Sequence, residues 1–262
     1  MLLSHTRVGT GPRQGVLLHG FLGTGRNLRT LAQTWCQADP SLSLLLPDLT
    51  GHGTSGPAGP QVGLAEVARD VLETARAAGL TGPLAFTGHS FGGRVALAAL
   101  RLAPADVASV TLLDIAPGPV DGGRSTTRGV VEALGRVPAT APDRHVMRDA
   151  LLAEGLSAPL VEWLLMNLER EPGGSVRWRV DRAGLLVLHE RVQREDLWDA
   201  VEAPGRRAPV TCVRGGASLY VSAADVARLE AAGCAVHTLP GVGHYVHTEA
   251  LEPLVALLTA PE

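Results

Sequence analysis

Apolar residues run along this chain in short blocks, each closed by Gly, Pro or Asp. The blocks are "GVLLHG" (15–20), "LSLLLPD" (42–48), "PLAFTGHS" (83–90), "SVTLLDIAP" (109–117), "PVTCVRGG" (209–216) and "AVHTLPGVGH" (235–244). Within each block the apolar positions are continuous rather than alternating, the pattern of strands covered on both faces of a parallel sheet. Between the blocks the spacing becomes helical, over 28–38, 64–78, 91–102, 222–232 and 248–259. This alternation predicts a doubly wound, mostly parallel α/β sheet. Residues 2–9 read as a short edge strand.

Between residues 117 and 209 the rhythm breaks. The spacing there predicts helices at about 126–135, 142–154 and 157–169, then a loop, "EREPGGSVRW". Trp163, Trp178 and Trp198 all fall in this interval. The expected organisation is a core of residues 1–117 and 206–262 with an inserted helical cap, 118–205. Such a cap would lie over the C-terminal sheet edge, where folds of this class bind ligands.

Bulk properties narrow the function. A length of 262 residues, 45% of them hydrophobic, fits one large α/β domain with an insertion. The net charge of −3, with both signs interspersed, does not suit a nucleic-acid-binding surface or a polybasic membrane patch. The opening stretch lacks the basic start and apolar run of a signal peptide, and no run is long enough to span a bilayer. The expectation is a cytoplasmic protein without membrane insertion. Cys36, Cys212 and Cys234, odd in number and set among apolar residues, read as buried reduced thiols. Every basic side chain is arginine or histidine. Without a lysine amine the chain cannot form a pyridoxal Schiff base, run a lysine aldolase or supply a Walker-type phosphate lysine.

One motif changes the picture from fold to chemistry. Gly88-His89-Ser90-Phe91-Gly92 fits G-x-S-x-G, and it stands between a predicted strand and a predicted helix, the context a nucleophile elbow needs. Gly88 and Gly92 allow the tight turn and Gly93 lets the helix pack close. Ser90 would sit at a helix N-terminus, where free N–H groups favour developing negative charge. The base expected for it is His244 in "GVGHYVHTEA", after the last strand, as the nucleophile–acid–histidine order requires. His247 is the local rival and reads as packed at the start of the final helix. His19 reads as ordering its loop, and His52 and His89 as bonding locally in turns. His5, His145, His189 and His237 have no catalytic context. No HExxH or clustered Cys/His spacing suggests a metal.

The histidine needs a carboxylate to hold its tautomer. After "PVTCVRGG" the usual G-x-x-D pattern is replaced by Gly215-Gly216-Ala217-Ser218, with a serine at the acid position. Asp114, ending the preceding strand "VTLLD", is the expected substitute; Asp225 and Asp121 are rivals. Ser218 would hydrogen-bond to Asp114 or His244, or stand as a plain loop serine. The oxyanion donors are expected to be the amides of Phe91 and Phe21, the latter in "HGFLGTG". Asp48 in "PDLTGHGTSG" reads as structural. Trp163 and Met166 are candidates for lining the substrate pocket or for packing cap on core. Arg124 and Arg128 could meet an anionic substrate or be solvated.

With these residues in place the chain resembles the α/β-hydrolase superfamily, through "HGFLG", "DLTGHGTS", "GHSFGG" and "GVGHYVH". "LLDIAP", the serine in "RGGASLYVS" and "WLLMNLEREPGGSVRWRV" are similar to small bacterial esterases and their mitochondrial abhydrolase-domain relatives, which carry the acid one strand early. Tyr245 stands where that group frequently has tryptophan, and Arg94 where it often has lysine. The resemblance implies hydrolysis of an acyl ester or thioester with no cofactor. Other readings on the same residues are a C–C bond hydrolase or perhydrolase, or a non-catalytic ligand-binding homologue. Dehalogenases and epoxide hydrolases resemble the fold but carry aspartate where Ser90 stands.

Overall fold

The structure, a computed structural model, describes residues 1–120 and 127–260; Asp121 and Arg124 lie outside the described residues. Its strands in chain order are β1 (His5–Gly9), β2 (Arg13–Leu18), β3 (Leu42–Pro47), β4 (Leu84–His89), β5 (Val107–Leu113), β6 (Thr140–Ala141), β7 (Leu168–Arg170), β8 (Val176–Trp178), β9 (Val210–Gly215) and β10 (Ala235–Leu239). The α-helices are α1 (Arg29–Ala38), α2 (Leu64–Ala77), α3 (Phe91–Leu102), α4 (Thr127–Arg136), α5 (Arg144–Ala153), α6 (Ala158–Leu164), α7 (Arg182–Arg194), α8 (Trp198–Glu202), α9 (Ala223–Ala231), α10 (Val246–Glu249) and α11 (Leu251–Thr259). Among the described residues a seven-stranded sheet runs β1-β3-β2-β4-β5-β9-β10. Only β1 is antiparallel to its neighbour in this sheet, pairing β3 at the edge.

The continuous apolar runs resolve into two faces of period two. Leu17, Leu44, Leu46, Leu113 and Val213 face a core shared with α1 and α11. Val16, Leu18, Leu45, Leu112 and Cys212 face the other core, with α2 and α3. Both alternating sets are apolar because both faces are covered. Burying a leucine such as Leu17, fully inaccessible, is worth about 1.5–3 kcal/mol. The three cysteines are free. Cys212 and Cys234 are buried and Cys36 half-buried, and burial pushes the Cys212 thiol up to about 12.

The segment between β5 and β9 departs from the all-helical expectation. Its helices α4 to α6 match the predicted ones, with α6 ending early, but β6, β8 and β7 form a small antiparallel sheet. "EREPGGSVRW" is not a loop but largely a hairpin: Glu171 and Ser175 close it, and Gly174 supplies the positive φ of 88° at its tip. Helix α7, capped by Asp181 accepting from the Gly184 amide, is a further element the spacing did not announce. Val131, Met147, Leu164 and Leu185 join the same buried cluster as Phe86 and Leu97 of the main sheet and α3.

Arg94 holds this segment at both ends. It is 1% exposed on α3. Nη1 donates to the carbonyls of Ala116, Pro117 and Gly118 where the chain leaves β5, and Nη2 to those of Val192 and Glu195 at the end of α7. Burial lowers its pKa to about 10. A guanidinium's rigid fork reaches two chain segments at once, which an ammonium's point charge does less well. Among the described residues no helix is long and apolar enough to cross a membrane.

Candidate active site

Three non-glycine residues among those described have positive φ: Leu22 (62°), Ser90 (52°) and Asp114 (55°). Such backbone costs on the order of 1–3 kcal/mol per residue and gathers where geometry serves a purpose. Leu22 lies in the loop after β2, Ser90 follows β4 and Asp114 follows β5, so the strain lies at the C-terminal ends of three neighbouring strands.

Ser90 occupies the single residue between β4 and α3, its amide donating to the Leu113 carbonyl at 3.0 Å. The glycines around it are required by contact. A Cβ on Gly88 would lie 2.2 Å from the Gly92 backbone, one on Gly92 2.4 Å from the Leu18 carbonyl, and one on Gly93 2.6 Å from Ile115. The Ser90 carbonyl accepts from the amides of Gly93 at 2.9 Å and Arg94 at 3.3 Å, so the donors of the first turn of α3 that can face charge developing beside Ser90 are those of Phe91 and Gly92.

Asp114 is completely buried. Its Oδ1 accepts from the Gly215 amide at 2.8 Å. Oδ2 accepts from the Ser218 hydroxyl and faces Nδ1 of His244 at 2.7 Å. Of the two partners open to Ser218 in the sequence, the structure gives it Asp114. The rival Asp225 instead closes a capping box with Ser222 at the start of α9, while Asp121 lies outside the described residues.

His244 is held from other directions as well. Its carbonyl accepts from Nε2 of His89 at 2.9 Å, so His89 does not bond locally in its turn as expected. Tyr220 stacks on the His244 ring, centroids 3.8 Å apart and planes within 17°. His247 is buried against His89, ring centroids 4.4 Å apart, in agreement with the packed role expected of it. Nothing in the sequence singled out Tyr220. Its signal was its place two residues after Ser218.

Ser90, His244, Phe21, Trp163, Thr127 and Tyr220 border one cavity of about 80 Å³. Trp163 therefore lies where a substrate-pocket residue should. Met166 does not: it is 52% exposed on a turn whose neighbours Leu165 and Asn167 are the buried ones, so its side chain points away from the cavity. Asn167 was missed as a candidate. Its side-chain amide donates to the Leu22 carbonyl at 3.1 Å, tying the intervening segment to the strained loop.

Phe21 and Phe91, whose amides are the expected oxyanion donors, pack edge to face with centroids 5.4 Å apart. His52 and His189 pack on the Phe21 ring at 5.1 and 5.0 Å, which gives His189 a place the sequence did not. His19 orders its loop as expected: Nδ1 meets the Gly20 carbonyl at 2.8 Å and Nε2 accepts from the Leu49 amide at 2.9 Å. Burial lowers the His52 pKa to about 3 and those of His189 and His247 to about 4, so these rings are neutral. Asp48 accepts from the amides of Gly25 and Thr54 and is structural. Arg128 is exposed and paired with Glu132 at 2.9 Å. Among the described residues no group of three or more His, Cys, Asp or Glu could hold a metal ion.

The sequence profile of the alpha/beta hydrolase family matches residues 16–257. The chain is 26% identical over 253 residues to the sn-1-specific diacylglycerol lipase ABHD11 of Mus musculus, covering 94% of this chain and 79% of that one. It is 26% identical over 237 residues to esterase YbfF of Escherichia coli (strain K12), covering 89% and 87%. A solved marine microorganism esterase superposes with a TM-score of 0.86 at 23% identity, covering 98% of both chains, a likeness of fold. The strained serine elbow, the parallel sheet and the profile match agree: this chain belongs to the alpha/beta hydrolase family and is a hydrolase.

Proposed function

We propose that the protein hydrolyses a carboxylic ester or thioester through an acyl-enzyme on Ser90. The observation that carries this reading is the 2.7 Å contact of Asp114 Oδ2 with His244 Nδ1, beside the cavity that Ser90 and His244 both border. Ser90 Oγ attacks the substrate carbonyl while His244 Nε2 takes its proton. The buried Asp114 carboxylate holds Nδ1–H and stabilises the imidazolium. The Phe21 and Phe91 amides receive the oxyanion, each worth about 3 kcal/mol of transition-state stabilisation. The imidazolium then protonates the leaving alcohol or thiol. Water, deprotonated by His244, attacks the acyl-enzyme and releases the acid and Ser90.

Residues 118–205 act as the cap, with Trp163 facing the acyl group, and 1–117 with 206–262 as the core. The cavity of about 80 Å³ beside Ser90 and His244 is the space offered to the acyl group, and its small size favours short chains. The relatives named esterase and lipase support ester chemistry over C–C bond cleavage.

The test is labelling by a fluorophosphonate, with kcat/KM over an acyl-chain series offered as p-nitrophenyl esters and as CoA thioesters. Wild type is expected to label and to turn over short chains best. Ser90→Ala is expected to do neither, with stability changed by less than about 1 kcal/mol. Turnover by Ser90→Ala at the wild-type rate would end the nucleophile assignment, and a wild type unreactive to label would favour a binding protein.

A further inference from the structure

We propose that Tyr220 is a positioning residue for the reaction, the flat backing that aims the His244 imidazole. The proposal rests on His244 being the general base.

The need for such a backing follows from where His244 sits. It follows Gly241, with φ of 73°, and Gly243, in a loop rather than on a helix or strand. Asp114 grips the ring at one edge, through Nδ1, and His89 grips the backbone through the carbonyl. Neither contact stops the ring from tilting about its Nδ1 hydrogen bond. Nε2, on the far side of the ring, moves most when the ring tilts, and Nε2 must meet Ser90 Oγ.

Tyr220 blocks that tilt. Its ring lies face to face on the imidazole at 3.8 Å and 17°, whereas His89 and Tyr245 approach at 45° and 63°. The tyrosine is itself fixed, only 8% exposed. Its backbone amide donates to the Ser218 hydroxyl at 3.2 Å, and that hydroxyl donates onward to Asp114. One residue thus orients the partner of the acid with its amide and the imidazole with its ring. The aromatic face also favours the imidazolium that forms during attack. The phenol oxygen is 3.5 Å from Thr127 Oγ1, too long to carry much. The ring, not the hydroxyl, is therefore the operative part.

The experiment compares wild type, Tyr220→Leu and Tyr220→Phe by rate of fluorophosphonate labelling and by kcat and KM on p-nitrophenyl acetate, with Ser90→Ala alongside. A misaimed catalytic group can cost about 100-fold, so Tyr220→Leu is expected to lose about 10- to 100-fold in labelling and in kcat with KM nearly unchanged, and Tyr220→Phe to recover to within about 3-fold. Circular dichroism checks that Tyr220→Leu is folded. Independently of any Tyr220 variant, the ring protons of His244 in the wild type, assigned by their loss in His244→Gln, should be shifted upfield by the ring current of the stacked tyrosine. Wild-type labelling by Tyr220→Leu, an equal loss in Tyr220→Phe, or unshifted His244 protons would overturn the proposal. Should Ser90→Ala hydrolyse like wild type, the catalytic assignment itself fails; should Ser90→Ala be dead while Tyr220→Leu is fully active, only the role of Tyr220 falls.

Discussion

Ser218 donates its hydroxyl to Oδ2 of Asp114, the same oxygen that faces Nδ1 of His244 at 2.7 Å. The carboxylate therefore sits between a neutral partner and the histidine, and the two can be removed separately. Asp114→Asn keeps an acceptor for the Gly215 amide at Oδ1 but turns an NH2 toward both Ser218 and His244. The corresponding change in a serine protease costs about 10⁴ in kcat, and a loss of at least about 100-fold is expected here. Ser218→Ala removes a hydrogen bond but no charge and should cost a few-fold. Asp225→Asn disturbs the α9 capping box, with a stability loss of about 1 kcal/mol and wild-type kcat. Steady-state kinetics on one ester ranks all three, and an inactive Asp225→Asn beside an active Asp114→Asn would reverse the assignment.

Gly92→Ala should strain the elbow. Its new methyl would lie 2.4 Å from the Leu18 carbonyl and 2.7 Å from that of His19, both backbone atoms of the strand end it crosses. Overpacking of this kind costs on the order of 1–3 kcal/mol, with activity falling as Ser90 shifts. Gly129→Ala on α4, where an added methyl would meet no atom of the described residues within 4 Å outside its own helix backbone, should instead stabilise by about 0.5–1 kcal/mol. Urea melts of the two variants should move in opposite directions.

Acid should destabilise the fold through its buried histidines. His52, His189 and His247 have folded pKa values of about 3, 4 and 4, and burial also lowers those of His19 and His89. Unfolded, each titrates near 6.5. Below that value the unfolded chain takes up protons that the native state refuses, so stability is full above about pH 6.5 and is lost as pH falls toward about 4. At pH 5.5, one unit below the unfolded value, His52, His189 and His247 each give up about 1.4 kcal/mol. Thermal midpoints measured from pH 8 to pH 5 should fall steadily below pH 6.5; a flat profile would contradict the neutral buried cluster.

Arg94→Met should destabilise more than Arg94→Lys. Methionine leaves the carbonyls of Gly118 and Val192 without their buried donor, and unsatisfied groups of this kind cost about 1–3 kcal/mol each. Lysine keeps the charge and three donors but loses the fork. Equal urea midpoints for the two variants would show that the fork does not hold the two chain segments together.

The strands of the main sheet were legible because burial on both faces makes each an unbroken apolar run, visible without knowing its neighbours. The Ser90 elbow was legible because its glycines are dictated by contacts only a few residues away. Other features depend on distant chain. His89 bonds to the His244 carbonyl 155 residues later, and no local pattern announces that. Strands β7 and β8 have three residues each, too short for a period to register. Helix α7 buries Leu185, Leu188, His189 and Val192 while exposing Val187, so a polar residue inside and an apolar one outside blur its stripe. Met166 was misplaced because a turn of 3-10 geometry follows α6, and its neighbours rather than Met166 face inward.

The grip of Arg94 on Val192 and Glu195 spans 98 and 101 residues of chain. During synthesis, Arg94 emerges long before those carbonyls exist. Until they arrive, half of a guanidinium that ends almost wholly inaccessible has no acceptors, and burying it in that condition is unfavourable. Closing so long a loop is also slow relative to local helix formation. Closure of the Arg94 side chain on the carbonyls of Val192 and Glu195 is therefore a late event in maturation, one that awaits the emergence of the end of α7.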